Sequence, residues 1–381
     1  MIRRPVRLVR TLLLVVAVAA GSGCSWWPWS STRVKIPEPP PIAAPIGVVQ
    51  SWSFSLGRGG VNFQPVQAGD SVWAAAADGT VARFDPATGS LRWRVRLERA
   101  LIAGVGSDGE TAVVAARDGT VIALDGSGVV RWSTPAGAEI VTVPSVGLGL
   151  AIVRTSDNRV SAFDLDSGKR RWSFDRQSPP LVLRQTAGIA MDAANAYVGL
   201  PGGRLVALML DSGALRWEAA VSMPRGANEI ERIADVVGMP LLAARQICAV
   251  TFQGRIGCFE AANGRTLWAR DLSSPSGFDM DTELVVAPDD AGRIHALSLQ
   301  GASAWTQDAL QGRTLAAPLL TARHVVLGDQ SGLVHVLDRA DGRLVARMQT
   351  DGSRIVSVPI AADGRIIVQT SAGGLHAYRI D

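Results

Sequence analysis

The sequence predicts an all-β fold: an eight-bladed β-propeller of four-stranded antiparallel blades. Three observations predict it. One motif recurs eight times, tryptophan closes most copies at a near-constant interval, and the strand missing from the last copy stands at the front of the chain. The copies are DGTVARFDPATGSLRW (78–93), DGTVIALDGSGVVRW (118–132), DNRVSAFDLDSGKRRW (157–172), GGRLVALMLDSGALRW (202–217), QGRIGCFEAANGRTLW (253–268), AGRIHALSLQGASAW (291–305), SGLVHVLDRADGRLVARM (331–348) and AGGLHAYRID (372–381). Trp93, Trp132, Trp172, Trp217, Trp268 and Trp305 follow one another at intervals of 39, 40, 45, 51 and 37, and Met348 stands near the seventh position. Within a copy, an apolar strand ends at a Gly turn, an alternating strand follows, a second Gly-containing turn reverses it, and the next strand carries the tryptophan. A fourth strand opens the next unit, with Pro65, Pro144, Pro240, Pro318 or Pro359 near its start. Four short strands every 40 residues or so make a propeller blade, which buries both faces only when the blades close into a ring. Tryptophan suits the seam between blades, because its ring is a large apolar wedge and its N–H finds a backbone acceptor.

The last copy lacks its tryptophan strand, and residues 48–54, VVQSWSF, supply one; Trp52 lies 41 residues before Trp93. The predicted eighth blade is therefore a composite of the two ends of the propeller, an arrangement that leaves no open ring. Composition agrees. Hydrophobic residues at 47% and charged residues at 19% exclude a disordered chain, and 40 glycines with 20 prolines match a fold made of turns. Of the 38 basic residues, Arg3, Arg4, Arg7 and Arg10 fall in the first ten positions, and the other 34 match the 34 acids. A near-neutral body gives no reason to expect nucleic-acid binding.

The front of the chain reads as an address. A basic stretch precedes TLLLVVAVAA (11–20), too short to span a bilayer, and Gly21-Ser22-Gly23-Cys24 follows. This resembles the lipobox of bacterial lipoproteins, with Gly where Leu is usual at position 21; without that resemblance the run is an ordinary secretory signal. The resemblance implies cleavage before Cys24 and its acylation, and Ser25 in place of Asp resembles an outer-membrane address. Residues 1–23 are thus expected to be a signal peptide, 24–47 a lipidated cysteine with a Pro-rich tether, and 48–381 the propeller. Trp26, Trp27 and Trp29 either lie along the lipid headgroups or decorate an unstructured linker.

Signs of catalysis are scarce. There is no Ser-His-Asp order, phosphate loop or metal spacing. His295, His335 and His376 recur in one slot of three successive units, and blade spacing of about 10 Å keeps one ion from reaching all three unless the slot faces the axis. Cys258 fills the small-residue slot of Ala123, Ala162, Ala207, Ala296 and Ala377; with Cys248 on the paired strand, either a disulfide or two buried thiols fits. The repeats also resemble those of pyrroloquinoline-quinone dehydrogenases, which implies a rival function: a periplasmic propeller holding a quinone or another small molecule. Those enzymes carry a vicinal Cys-Cys that this chain lacks. No cofactor or metal is expected.

Two segments break the template: SPPLVLRQ (178–185) and SMPRGANEIERIADVVGMP (222–240). Insertions on a propeller rim commonly bind partners. Leu181 and Leu183 with Arg184 combine apolar anchors and a donor fork, and Glu229, Glu231, Arg232 and Asp235 add charge. Spacing alone leaves open whether these loops bind or merely cover blade ends. Together, the lipobox, the tether, the eight repeats and RGANEIERIADV resemble the BamB family, propeller lipoproteins of the machinery that assembles outer-membrane β-barrels. The resemblance covers nearly the whole chain after the leader. It implies a non-catalytic scaffold on the periplasmic face of the outer membrane, bound to the POTRA domains of BamA within the Bam complex and in reach of unfolded β-barrel clients. Carried over by position, the contacts are Leu181, Leu183, Arg184 and Asp235. Val237 stands where the family often has a second acid.

Overall fold

The computed structural model describes residues 36–380 apart from 61, 178–180 and 184–186. Its regular structure is 32 strands in eight four-stranded antiparallel sheets. Residues 66–96, 101–135, 145–174, 189–220, 236–271, 279–307 and 319–349 form blades 1 to 7 in chain order. Blade 8 joins three strands of residues 360–380 to Val48–Ser55, which pairs antiparallel with Gly374–Ile380 from Val48 opposite Ile380 to Ser55 opposite Gly374. The composite blade read from the sequence is the closure of the ring. Around most of the ring the first strands of neighbouring blades touch one another and so surround the axis.

The core lies between the blades. Each blade contributes to two apolar clusters, one per neighbour, as with Val113, Ala123 and Trp132 of blade 2 against Ala151, Val153 and Phe163 of blade 3. The tryptophans are the latches of these seams. Each ring covers the next blade's outer turn, and its Nε1 donates to a carbonyl there: Trp52 to Pro86, Trp93 to Gly126, Trp132 to Leu165, Trp172 to Leu210, Trp217 to Ala261, Trp268 to Leu299 and Trp305 to Arg339, at 2.7–3.0 Å. Glycine is required under the ring. Gly213 has φ +71°, and a Cβ there would stand 2.5 Å from the Trp172 ring. The residue directly across from six of the seven latches is small, Ala123, Ala162, Ala207, Cys258, Ala296 and Ala377, which explains the repeated small slot; Trp93 stands across from Arg83. Trp172→Ala is expected to cost about 3–5 kcal/mol, the usual penalty for emptying such a site; a thermal-unfolding midpoint equal to wild type would contradict the latch.

Three expectations need correction or closure. The position across from Val336, where the tryptophan of the seventh copy belongs, is Ala346 and not Met348. Blade 8 has chain ends where the other blades have an outer turn, so a tryptophan there would have no turn glycine to cover. The second insertion ends at Asp235 rather than Pro240, because Val236–Ala243 is already strand. A register shift between Val237 and Leu241 accommodates Pro240, which has no N–H to give to the ladder. Cys248 and Cys258 face each other in register and are disulfide-bonded, which selects between the two cysteine readings.

The three histidines do not converge. His295 meets Asp289 at 2.9 Å, His335 meets Asp329 at 2.8 Å, and His376 lies 3.9 Å from Asp351. Among the described residues no His, Cys, Asp and Glu cluster is arranged to hold a metal. His335 and Asp329 are fully buried, with Arg313 donating Nε and Nη2 to the same carboxylate. Burial pushes the His335 imidazole below its ordinary range even though its hydrogen bond to Asp329 opposes this, and the Arg347 and Arg313 charges push the same way. A depressed folded pKa means that the unfolded chain binds the proton first, near pH 6.5. This contribution to stability is therefore complete above that pH and is lost as pH falls through the folded value. The midpoint is expected to drop between pH 7.5 and 5.5, with a shallower drop in His335→Gln; equal slopes would refute the assignment.

Candidate functional site: a pinned loop on the propeller rim

Loops that link the last strand of one blade to the first strand of the next gather on one rim with the middle turns of the blades. Where blades 3, 4 and 5 meet there, the structure brings together the two segments that break the repeat. Asp235 sits at the junction, only 5% exposed. Its Oδ2 accepts the Leu183 N–H at 2.7 Å, its Oδ1 accepts the Gly202 N–H at 2.9 Å, and its backbone carbonyl accepts the Phe252 N–H at 3.0 Å. One carboxylate thus ties the Leu181–Leu183 stretch to the middle turn of blade 4 and to the body of blade 5. Gly203, at φ +72°, makes the close approach possible, since a Cβ there would lie 2.4 Å from the Ser222 carbonyl.

The pinning sorts the two leucines. Leu181 is exposed, whereas Leu183 is half-buried and packs against the cluster between blades 5 and 6, with Val237, Phe278 and Met280. Val182 and Leu183 then wall a cavity of about 360 Å³ at the mouth of the axis, shared with Ile102, Ile140, Arg154 and Asp235. Arg154 is 2% exposed; its Nη1 donates to Gly199 O at 2.8 Å and its Nε has no partner among the described residues. Burial brings its pKa down to about 10, against the pull of the Asp235 charge.

The rest of the insertion is a small built loop. Asn228 and Glu231 cap each other: Asn228 Oδ1 accepts the Glu231 N–H at 3.0 Å, and Asn228 Nδ2 donates to Glu231 Oε1 at 2.9 Å. Arg232 Nε donates to Gly226 O at 3.1 Å, and its Nη1 lies 4.0 Å from Glu229 Oε1. Met223 and Ile230, each about two-thirds exposed, stand out from this loop.

Of the residues singled out in the sequence, Leu181, Leu183 and Asp235 come together, and Glu229 and Arg232 lie on the neighbouring exposed turn. Cys24 and Arg184 lie outside the described residues. Asp235, expected as a contact, is buried with both oxygens engaged, so its place is beneath the rim, as the residue that positions it. Arg154, Gly202 and Ile230 were not singled out on their own. The signal for Arg154 was there: an arginine closing the otherwise apolar strand Leu150–Arg154.

A family model described as "Outer membrane protein assembly factor BamB" matches residues 77–307 and 290–381. The chain is 41% identical over 379 residues to the protein of that name from Bordetella pertussis, covering 99% of this chain and 98% of the relative. It is 43% identical over 350 residues to that of Burkholderia pseudomallei, covering 91% and 92%. The chain belongs to the BamB family. Its fold superposes on the crystal structure of BamB from Moraxella catarrhalis with a TM-score of 0.80 at 26% identity, over 87% of this chain and all of the other. The quinohemoprotein alcohol dehydrogenase of Comamonas testosteroni aligns at TM-score 0.68 but only 16% identity, over 87% and 76%, a likeness of fold alone. The BamB relatives are outer-membrane protein assembly factors by name, and this chain is a member of that group. The quinoprotein reading has no comparable support.

Proposed function

We propose that this chain is a non-catalytic scaffold that binds the POTRA domains of BamA through the rim built on Leu181, Leu183 and Arg184, and that it helps to deliver β-barrel chains for insertion into the outer membrane. One observation carries the proposal: a buried carboxylate, Asp235, spends both oxygens on holding the leucine segment to the propeller. A loop that merely covered blade ends would not require such a pin. Preorganising a loop reduces the entropy lost when it binds. Leu181 offers an apolar anchor, Arg184 contributes a donor fork, and the exposed Met223 and Ile230 extend the surface. Glu229 and Arg232 belong to its polar rim, where charges steer encounter more than they hold the complex. The test is calorimetric titration of the purified chain with the BamA periplasmic domains; no heat of binding at micromolar concentrations would sink the proposal.

The same reading places the protein on the periplasmic face of the outer membrane, held by acyl chains on Cys24. Three chains exceed what stable anchoring needs, at roughly 0.8 kcal/mol per buried CH₂. Cys24→Ser is expected to move the protein from the membrane to the soluble periplasmic fraction. Retention of that variant on outer membranes from a strain without BamA would refute the lipid anchor.

A further inference from the structure

Seven seams of the ring have a tryptophan latch. The seam between blade 7 and blade 8 has Ala346 in that place. Something else crosses it. The Ile46 N–H donates to Val345 O at 2.9 Å, two residues before the closing strand begins. Arg347 Nη2 donates to Pro40 O at 2.8 Å. Ile46 and Val48 pack on the cluster that fills this seam, with Val345, Ala346, Met348 and Tyr378. Tyr378 OH adds one further bridge, to Gln349 O at 3.0 Å. Residues 38–47 belong to the same compact unit as the propeller, although the prolines at 39, 40, 41 and 45 leave them no regular strand to form.

We propose that residues 38–47 are a strap that replaces the eighth tryptophan latch, fastening the two chain ends of the propeller to blade 7 through Ile46 and Arg347. The chemistry fits the place. A Pro-rich segment loses little backbone freedom on docking and has few N–H groups to satisfy, so two hydrogen bonds and one apolar plug suffice. Arg347 is the fixed end. Its Nε lies 3.5 Å from His335 Nδ1, and His335 is itself held by the buried Asp329.

Hydrogen exchange on the soluble Cys24→Ser chain tests the strap without any membrane or partner. The Ile46 amide is expected to exchange at least about 100-fold more slowly than in an unstructured peptide. Arg347→Ala should speed it by roughly tenfold while the amides of Val48–Ser55 stay protected, which separates release of the strap from loss of the closing strand. A second variant lacking residues 38–45 keeps Arg347 and should also expose Ile46 and lower the unfolding midpoint. Free exchange at Ile46 in the parent chain, or protection unchanged in both variants, would overturn the strap.

Discussion

A chain lacking Val48–Ser55 is expected not to close its ring. The deletion removes every backbone pairing that Gly374–Ile380 makes on its outer side, from Val48 opposite Ile380 to Ser55 opposite Gly374. It also removes Trp52, whose Nε1 reaches Pro86 O in blade 1 and whose ring covers Gly89. The cluster shared by blades 8 and 1, with Trp52 packed among Val72, Phe84 and Ala377, loses its largest side chain. A buried tryptophan alone accounts for about 3–5 kcal/mol. An unpaired strand edge then invites association with other chains. The total exceeds a large part of a typical domain's net stability of about 5–15 kcal/mol. The deleted chain should therefore aggregate or unfold at ordinary temperature, seen as loss of the monomer peak in size-exclusion chromatography and loss of a cooperative thermal transition. A monomer with an unchanged transition would show that closure does not depend on this strand.

The second large effect is expected at the rim. Arg184→Ala should weaken binding to the BamA POTRA domains by about 2 kcal/mol, or roughly 30-fold, with no change in circular dichroism, because truncating an interface arginine removes a multidentate donor. Asp235→Ala should weaken it as well, by a different route. It strands the N–H groups of Leu183 and Gly202, at about 1–3 kcal/mol for each buried donor left unpaired, and removes a charge that opposes the desolvation of Arg154. This variant should show both a lower unfolding midpoint and weaker binding. Wild-type affinity in Arg184→Ala and Leu183→Ala would discard this face as the interface. Wild-type affinity in Asp235→Ala alone would leave the face in place and remove the pinning role.

The residues of this rim show how far the sequence reaches. Leu181, Leu183 and Asp235 stood out because they interrupt a repeat, and an interruption is visible along the chain. Which of them faces a partner was not visible, since Asp235 is chemically as suited to a surface contact as to accepting two backbone N–H groups. The structure shows it accepting the N–H groups of Leu183 and Gly202, which are distant in sequence. Arg154 shows the same limit: a basic residue at the end of an apolar strand is visible, but its burial beside Asp235 in the wall of a cavity is not.

The local repeat determined the fold by itself. Strand lengths, glycine turns and tryptophan spacing are properties of neighbouring residues, and eight copies of them permit little else than a ring of blades whose two ends share the last one. The tertiary structure alone decided what happens where the copies differ. Ala346 rather than Met348 occupies the missing latch, because register is set by pairing with Val336 and not by distance from the last glycine. Cys248 and Cys258 face each other because a hairpin centred on Gln253 aligns them. Asp235 lies under the rim instead of on it, because two backbone amides from other blades' loops converge on its carboxylate. In each case the deciding partner comes from another strand or loop, and only the closed ring brings it within hydrogen-bonding or packing distance.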